Sequence, residues 1–206
     1  MIAYIIIFSI LLLFVAFNKT MPNKAELIFI SCLLILFAGC RQVGIDPDSL
    51  SYKEAWESIR SGKRIAIDPS FILISKLIPN FSILLLIYSL GGVLLKVVAA
   101  VKLSPFPFVS ILVYFSHYFF LQEMTQIRAG LATGFLLWVI YYIVNQEKIK
   151  AFLILLLAIF FHSSAIIGLI FFLIDYKENN LSKYILCFGI ALILYYFNIS
   201  INEILK

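Results

Sequence analysis

Long apolar runs, separated by short polar stretches, make up most of the chain. A helix that crosses a bilayer needs about 20 mostly apolar residues, and the usable range is about 17–25. Runs that approach this length predict membrane helices, and they cover residues 2–17, 25–40, 81–101, 108–121, 129–144 and 184–197. A shorter apolar piece, 71–78, ends at Pro79 and is predicted to dip into the membrane or to lie on it. The pattern therefore predicts an all-α, polytopic helix bundle with about 7–8 membrane segments, including short interfacial or re-entrant helices on the outer side.

Residues 149–174 fit two different arrangements. Taken as one helix, the run has about the length of a span, with His162 near its midpoint. Taken as a hairpin, it forms two short helices that meet at His162. The hairpin keeps Lys177 and Lys183 on the cytoplasmic side and is the favoured interpretation.

The composition indicates which class of protein contains these apolar helices. Of the 206 residues, 63% are hydrophobic and 13% are charged, and the mean hydropathy is +1.06. Soluble domains carry about 25% charged residues, so we expect an integral membrane protein with a single transmembrane domain over residues 1–206. The net charge of +5 is attributed to basic cytoplasmic turns. The lipid bilayer is therefore a predicted partner, and nucleic acid is not.

Lysines mark the side of the membrane that is predicted to face the cytoplasm. The turns 18–24 and 146–150 each hold two lysines. Because cytoplasmic loops are enriched in Lys and Arg, these turns are placed inside, which puts the N-terminus and the loop 41–69 outside. The turn 122–126 contains no lysine and is predicted to lie at the outer surface.

The outer loop contains one predicted helix, at about residues 50–61. Ser51 and Glu54 have the spacing of a capping box, and Tyr52 and Trp56 share one face at helical spacing. An amphipathic helix of this kind is predicted to lie at the outer interface, with both aromatic rings at headgroup depth.

Polar side chains lie near the outer ends of several predicted helices: Arg41 with Asp46, Asp68, Gln126 with Arg128, and His162. Ionisable side chains at membrane depth cost free energy, so they tend to mark functional sites. Each also has a structural explanation, because an arginine can extend its charge to the interface and a histidine can pair within the core. Together, the two arginines, the acidic groups and the histidine predict a site for an anionic, phosphate-bearing lipid. No metal-ligand spacing is present, so neither a metal nor another cofactor is predicted.

These polar groups belong to short motifs that follow one another in a fixed order. The motifs are Arg41-x-x-Gly44-x-Asp46 followed by Tyr52, then Asp68-Pro69-x-Phe71, then Gln126-Ile127-Arg128-x-x-x-Ala132, and finally His162-Ser163-Ser164-Ala165. This order resembles the EpsG family of Wzy-like polymerases of bacterial exopolysaccharide, capsule and O-antigen. Two features differ from the family pattern. Members usually carry Glu at the position of Asp68, and they are considerably longer, so the chain resembles the N-terminal portion of the family and is expected to lack its later spans.

The resemblance implies a glycosyltransferase reaction at the outer face of the bacterial cytoplasmic membrane. The donor would be a glycan on undecaprenyl diphosphate, and the acceptor would be a lipid-linked repeat unit. Arg41 and Arg128 would stabilise the leaving diphosphate, because a guanidinium binds such oxygens bidentately. Asp46 and His162 are the alternatives for the group that receives the proton of the attacking sugar hydroxyl.

The resemblance also implies a set of binding groups and partners. Tyr52 and Trp56 would offer flat faces to a sugar ring, and Asp68 and Gln126 complete the predicted substrate-binding set. A flippase and a chain-length regulator are the protein partners that such a pathway implies.

Two other functions fit some of the same residues. A transporter or flippase-like protein would bind the diphosphate of a lipid-linked glycan through its arginines without breaking a bond. An intramembrane serine hydrolase would use Ser163 or Ser164 with His162, but adjacent residues on a helix do not face each other, and no Gly-x-Ser-x-Gly motif occurs.

Labelling of single cysteines tests the predicted orientation. In a chain without its native cysteines, Ser58→Cys is expected to react with a membrane-impermeant maleimide in intact cells, because it lies in the outer loop. Asn145→Cys is expected to stay unlabelled until the membrane is permeabilised. The opposite pattern would invert the topology and place the arginines on the cytoplasmic side.

Overall fold

The computed structural model describes residues 2–17 and 22–173, together with 185, 188 and 189. Within these residues the chain is helical and contains no strand. The helices are α1 (Ile2–Phe17), α2 (Lys24–Gly39), α3 (Ser49–Arg60), α4 (Pro69–Leu77), α5 (Phe81–Leu103), α6 (Pro107–Val113), α7 (Ile127–Val144) and α8 (Lys148–Phe161). Two π-helical pieces, Tyr114–Tyr118 and Phe120–Thr125, continue α6, and a 3₁₀ helix, Ser163–Leu173, follows α8.

Two sequence predictions concern residues that lie outside this description. The inner turn 18–24 is described only from residue 22 onwards, and the last predicted span, 184–197, is described at three positions only. The chain divides into two compact units, Met1–Gly168 and Leu169–Lys206. The predicted single domain over 1–206 stays a prediction.

The ends of the helices follow from local sequence. Asn23 and Glu26 form a capping box at the start of α2, in which each side chain accepts the backbone N–H of the other residue at 2.9 and 2.8 Å. The Asn80 side chain accepts the Ser82 N–H at 2.8 Å at the start of α5. Both α4 and α6 begin with a proline, which lacks the N–H that a first helical turn leaves unpaired.

Helices α5 and α7 pack closely and run in the same direction. A Cβ added at Gly91 would lie 2.9 Å from Leu131, and one added at Gly134 would lie 3.0 Å from Leu95. The contact point moves from Gly91 to Leu95 along α5 as it moves from Leu131 to Gly134 along α7, so the two helices are parallel. Glycine at these positions lets the two helices approach closely, as small residues do in membrane bundles.

The hydrophobic core has two main parts on either side of this pair. One part joins α1, α2 and α6 to the second half of α5, with Leu11, Leu34, Val97 and Phe115 at its centre. The other joins α3, α4 and the start of α7 to the first half of α5, with Phe71, Leu84 and Ile127 fully buried. The second part supports the candidate site.

Helices α5 and α7 are also the two described helices that are long and apolar enough to cross a membrane. Helix α1 and the 3₁₀ helix are apolar but shorter. The all-α prediction is confirmed for the described residues, and the predicted number of about 7–8 membrane segments stays a prediction.

Of the two arrangements considered for residues 149–174, the structure supports the hairpin. Helix α8 ends at Phe161, and His162 has an extended backbone with φ −156° and ψ 123°. A Cβ at Gly168 would lie 2.7 Å from Leu155, so the chain after the break packs back onto α8. A buried cluster of Ala132, Ala158 and Ala165 closes this contact.

The turn 122–126 differs from its predicted position. We expected it at the outer surface, but Glu123 is 1% exposed and lies against Gly92, near the middle of α5. A Cβ at Gly130 would lie 2.0 Å from the backbone oxygen of Gln122, so the turn also presses against α7. Glu123 and Met124 are therefore buried within the bundle, whereas Gln126 at the end of the turn is exposed.

Candidate functional site

The Asp68 carboxylate joins side chains from three separate parts of the chain. Asp68 immediately precedes α4, where its side chain makes no cap to the helix and is free for other partners. Its Oδ2 accepts a hydrogen bond from Arg128 Nη1 and lies 3.0 Å from His162 Nδ1. Its Oδ1 accepts the Ser163 N–H at 3.2 Å. A cation, an imidazole and a backbone donor therefore meet at one largely buried carboxylate.

The Arg128 side chain is held by aromatic rings as well as by this ion pair. Its guanidinium carbon lies 5.4 Å from the centre of the Tyr52 ring and 6.0 Å from that of Phe71. Rings at this distance attract a cation. The Arg128 Nε is buried and has no hydrogen-bond partner among the described residues. A buried donor without a partner costs free energy, which favours any acceptor that can reach this atom.

His162 adopts a defined orientation at the break between α8 and the 3₁₀ helix. An ionised carboxylate can only accept hydrogen bonds, so the contact with Asp68 favours a proton on Nδ1. In the neutral imidazole this tautomer leaves Nε2 as the acceptor of the ring. The side chain is 28% exposed, so solvent or a ligand can reach it.

The aromatic residues of α3 pack on protein. The predicted helix exists at Ser49–Arg60, but its Tyr52 is buried against Phe71 at 5.6 Å between ring centres. Trp56 donates its Nε1–H to the Ile78 carbonyl at 3.1 Å and packs on Phe81. The apolar face of this helix therefore covers α4 and the start of α5, and the predicted headgroup depth of the two rings stays a prediction.

Burial also determines the protonation of Tyr52. It raises the pKa of the Tyr52 hydroxyl above its ordinary value, although the neighbouring Arg128 guanidinium opposes the rise. The phenol is therefore neutral at physiological pH. It supports Arg128 through its ring without adding negative charge to the site.

Arg41 and Asp46 form a second, more deeply buried pair. Arg41 Nε donates to Asp46 Oδ2 at 2.9 Å, and the exposed fractions of the two residues are 8% and 7%. Arg41 also donates hydrogen bonds to the backbone oxygens of Ala38 (2.7 Å), Glu123 (3.4 Å) and Met124 (2.5 Å). Most of the guanidinium is therefore bound by the protein itself.

Asp46 is likewise satisfied by its own loop. Its Oδ1 accepts the backbone N–H groups of Asp48 at 3.2 Å and Ser49 at 2.8 Å, while Oδ2 is bound to Arg41. Gly44, with φ +94°, makes the turn that brings the loop back. The two arginines thus have separate carboxylates, and the structure shows no contact between Arg41 and Arg128.

Gln126 lies at the junction between the buried turn and α7. It is exposed, and its backbone N–H donates to the Leu121 carbonyl at 2.7 Å. Its side chain makes no hydrogen bond within the described part of the chain. Its amide is therefore accessible to a ligand.

A third buried ion pair was not predicted from the sequence. Lys96 Nζ binds Glu123 Oε1 and donates to the Gly130 carbonyl at 2.6 Å, and Tyr114 donates its hydroxyl to Glu123 at 2.8 Å. Lys96 is 5% exposed. The signal was present, because Lys96 interrupts the apolar run 81–101, but the run alone does not identify a partner 27 positions away.

The fold and the site together define a membrane protein with a polar cluster held between helices. The chain belongs to the EpsG family, whose model matches residues 24–206. The recognition made from the sequence motifs is confirmed, and membership suggests a polysaccharide polymerase-like role. No curated protein and no solved structure matches the chain.

The Lys96–Glu123 pair can be tested by removing one or both charges. Lys96→Met leaves a buried carboxylate without its cation, and such unpaired charges cost about 3–5 kcal/mol of stability. Replacing both residues, in Lys96→Met with Glu123→Leu, removes both charges and is expected to recover most of that loss. Thermal unfolding of the purified variants in detergent measures the difference. Equal stability of the single and double variants would contradict the expected cost of the unpaired carboxylate.

Proposed function

We propose that this chain is a polysaccharide polymerase that transfers an undecaprenyl-diphosphate-linked glycan to a lipid-linked repeat unit. The observation that carries the proposal is the Asp68 cluster, in which one carboxylate orients both a cation and an imidazole. These are the two kinds of group that glycosyl transfer from a diphosphate requires. Membership of the EpsG family supports the same reaction class.

Arg128 is the proposed ligand of the leaving diphosphate. Transfer breaks the bond between the anomeric carbon and the diphosphate oxygen, so negative charge develops on the leaving group. A guanidinium binds such oxygens through several N–H donors and stays charged at any relevant pH. The unpartnered Nε of Arg128 gives the site a donor that the protein does not itself use.

His162 is the proposed base for the acceptor. The attacking sugar hydroxyl forms the new bond to the anomeric carbon and loses its proton, which passes to His162 Nε2. Asp68 holds the imidazole through Nδ1 and stabilises the cation that results, as a carboxylate does beside other catalytic histidines. Between the two bases that the sequence left open, the geometry favours His162, because the oxygens of Asp46 are occupied.

The remaining predicted residues take supporting positions in this proposal. Asp46 holds the outer loop and Arg41, and Arg41 binds the backbone oxygens at 123 and 124, so the pair positions Arg128 instead of contacting the diphosphate. Tyr52 supports the guanidinium from one side. Gln126 is exposed and is a better candidate for a sugar contact than Trp56, whose indole N–H is already bound.

The proposed location is the outer face of the bacterial cytoplasmic membrane in a multi-pass arrangement. This side is supported by the lysines of the turns 18–24 and 146–150. A lipid-linked substrate must first reach that face, so a flippase is a proposed partner of the pathway. A chain-length regulator is the second, and capsule, exopolysaccharide or O-antigen are the proposed classes of product.

Two substitutions test the proposed roles directly. Arg128→Lys keeps the charge but loses the planar fork, and His162→Gln keeps the size and polarity of the side chain but loses the base. Each is expected to lower polymer formation by about 10²-fold or more, in cells that lack their own polymerase and supply the lipid-linked unit. Lys63→Gln, on an exposed turn of the outer loop, is the matched charge control and is expected to polymerise like the parent.

The same experiment distinguishes polymerase from transporter. A polymerase variant leaves unpolymerised lipid-linked units in the outer leaflet, where an added glycosidase or lectin can reach them. A transporter variant would instead retain the units in the inner leaflet. Parent-level polymer from both variants, or inner-leaflet retention, would contradict the proposed function.

A further inference from the structure

A groove separate from the Asp68 cluster lies between α5, α6 and α7. Its volume is about 490 Å³, within the range of about 300–1,000 Å³ that is typical of small-molecule sites. Most of its wall is apolar and comes from Ala99, Ala100, Leu103, Val109, Val113 and Leu137. The groove therefore suits a hydrocarbon ligand.

The groove is open to the surroundings of the bundle and has polar as well as apolar lining residues. Lys96, Gln122 and Thr133 are among the polar ones, and Thr133 donates to the Gln122 side chain at 3.2 Å. Val109 and Val113, which also line the groove, are 44% and 48% exposed. In a membrane protein, apolar side chains exposed at this position face the hydrocarbon of the bilayer.

Water does not fit this groove well. An ordered water needs about two to four polar partners, and the polar groups of the middle section are already paired. The Ser104 and Ser110 hydroxyls bind each other at 2.8 Å, and the Tyr114 hydroxyl binds Glu123. A hydrocarbon chain, by contrast, needs no hydrogen bonds and would fill the space with favourable contacts.

The groove is also unsuited to the ligand of the Asp68 cluster. At 3.6 residues per turn, Thr133 and Leu137 lie about 140° and 180° around α7 from Arg128. The close contact between Gly130 and the Gln122 backbone blocks the direct path between the two faces. A chain attached to a diphosphate at Arg128 would have to pass around the helix to enter.

We propose that this groove is a lipid site, which holds one acyl chain of a bilayer phospholipid. The chain enters from the side between α6 and α7 and lies against Ala99 and Ala100 of α5. The acyl chain fills the space next to Gln122, which is the first residue of the turn that leads to Arg128. The proposal depends on the membrane location of α5 and α7 and holds whether or not the chain is a polymerase.

Photocrosslinking after removal of bulk lipid tests the occupant. The protein is taken from native membranes, washed extensively with detergent and only then irradiated. A benzophenone side chain introduced at Val113, on the wall of the groove, is expected to give a phospholipid adduct, because the lipid in the groove is retained through the wash. The matched probe is at Leu94, which is exposed but lies about 160° around α5 from Lys96, on the far side from the groove. No phospholipid adduct is expected at Leu94 after the same wash. Mass spectrometry of the purified full chain identifies the bound species.

A substitution that fills the groove tests whether the Val113 adduct depends on it. Ala100→Trp fills the groove and is expected to abolish the Val113 adduct, whereas Val98→Trp on the opposite side of α5 is expected to leave it. Should Ala100→Trp fail to fold, as judged by size-exclusion chromatography, Leu137→Trp blocks the same space from α7. The proposal is overturned by an isoprenoid adduct alone, by no retained adduct at Val113, or by an adduct that persists in the filled groove.

Discussion

Two opposite charges, Lys96 and Glu123, meet inside the helix bundle, and the position of the candidate site follows from their contact. Burying either charge alone would cost several kcal/mol, so the two must stay together wherever α5 and the turn 122–126 pack. Tyr114 and the Gly130 carbonyl satisfy further donors and acceptors of the pair. The turn is therefore held at the depth of Gly92, and α7 begins from a fixed point within the bundle.

The outer loop reaches the same turn from the opposite side. Arg41 binds the backbone oxygens of Glu123 and Met124, so the end of α2 and the start of α7 are joined through one guanidinium. Asp68 then approaches Arg128 from the start of α4, and the break at His162 supplies the third member of the cluster. The buried pairs Lys96–Glu123 and Arg41–Asp46 thus support the more exposed cluster of Asp68, Arg128 and His162. Of these two groups, the exposed cluster is the one with donors and acceptors left for a substrate.

The sequence was sufficient for the local features and insufficient for the long-range ones. The hairpin at His162 and the helix near 50–61 could be predicted, because motif, apolar spacing and length are local properties. The predicted capping box was wrong, because Ser51 lies inside α3, which starts at Ser49 and has no side-chain cap. Whether the apolar face of that helix meets lipid or protein is not encoded in its spacing, so the contact of Tyr52 with Phe71 could not be predicted. The partner of Lys96 was missed because periodicity along one helix does not specify a contact with a turn far away in the chain. Arg41 and Arg128 looked equivalent in sequence, and only their hydrogen bonds support the proposal that Arg41 positions the site and Arg128 binds the substrate.

The central claim is that the Asp68 carboxylate unites Arg128 and His162 in one catalytic site. Polymer formation by Asp68→Asn and Asp68→Glu chains, at matched membrane expression, tests it most directly. Asparagine keeps the size of the side chain but removes the charge that orients both partners, whereas glutamate retains the carboxylate. The account predicts that the asparagine variant loses polymer formation while the glutamate variant keeps a measurable part of it. Parent-level polymer from Asp68→Asn would contradict the account.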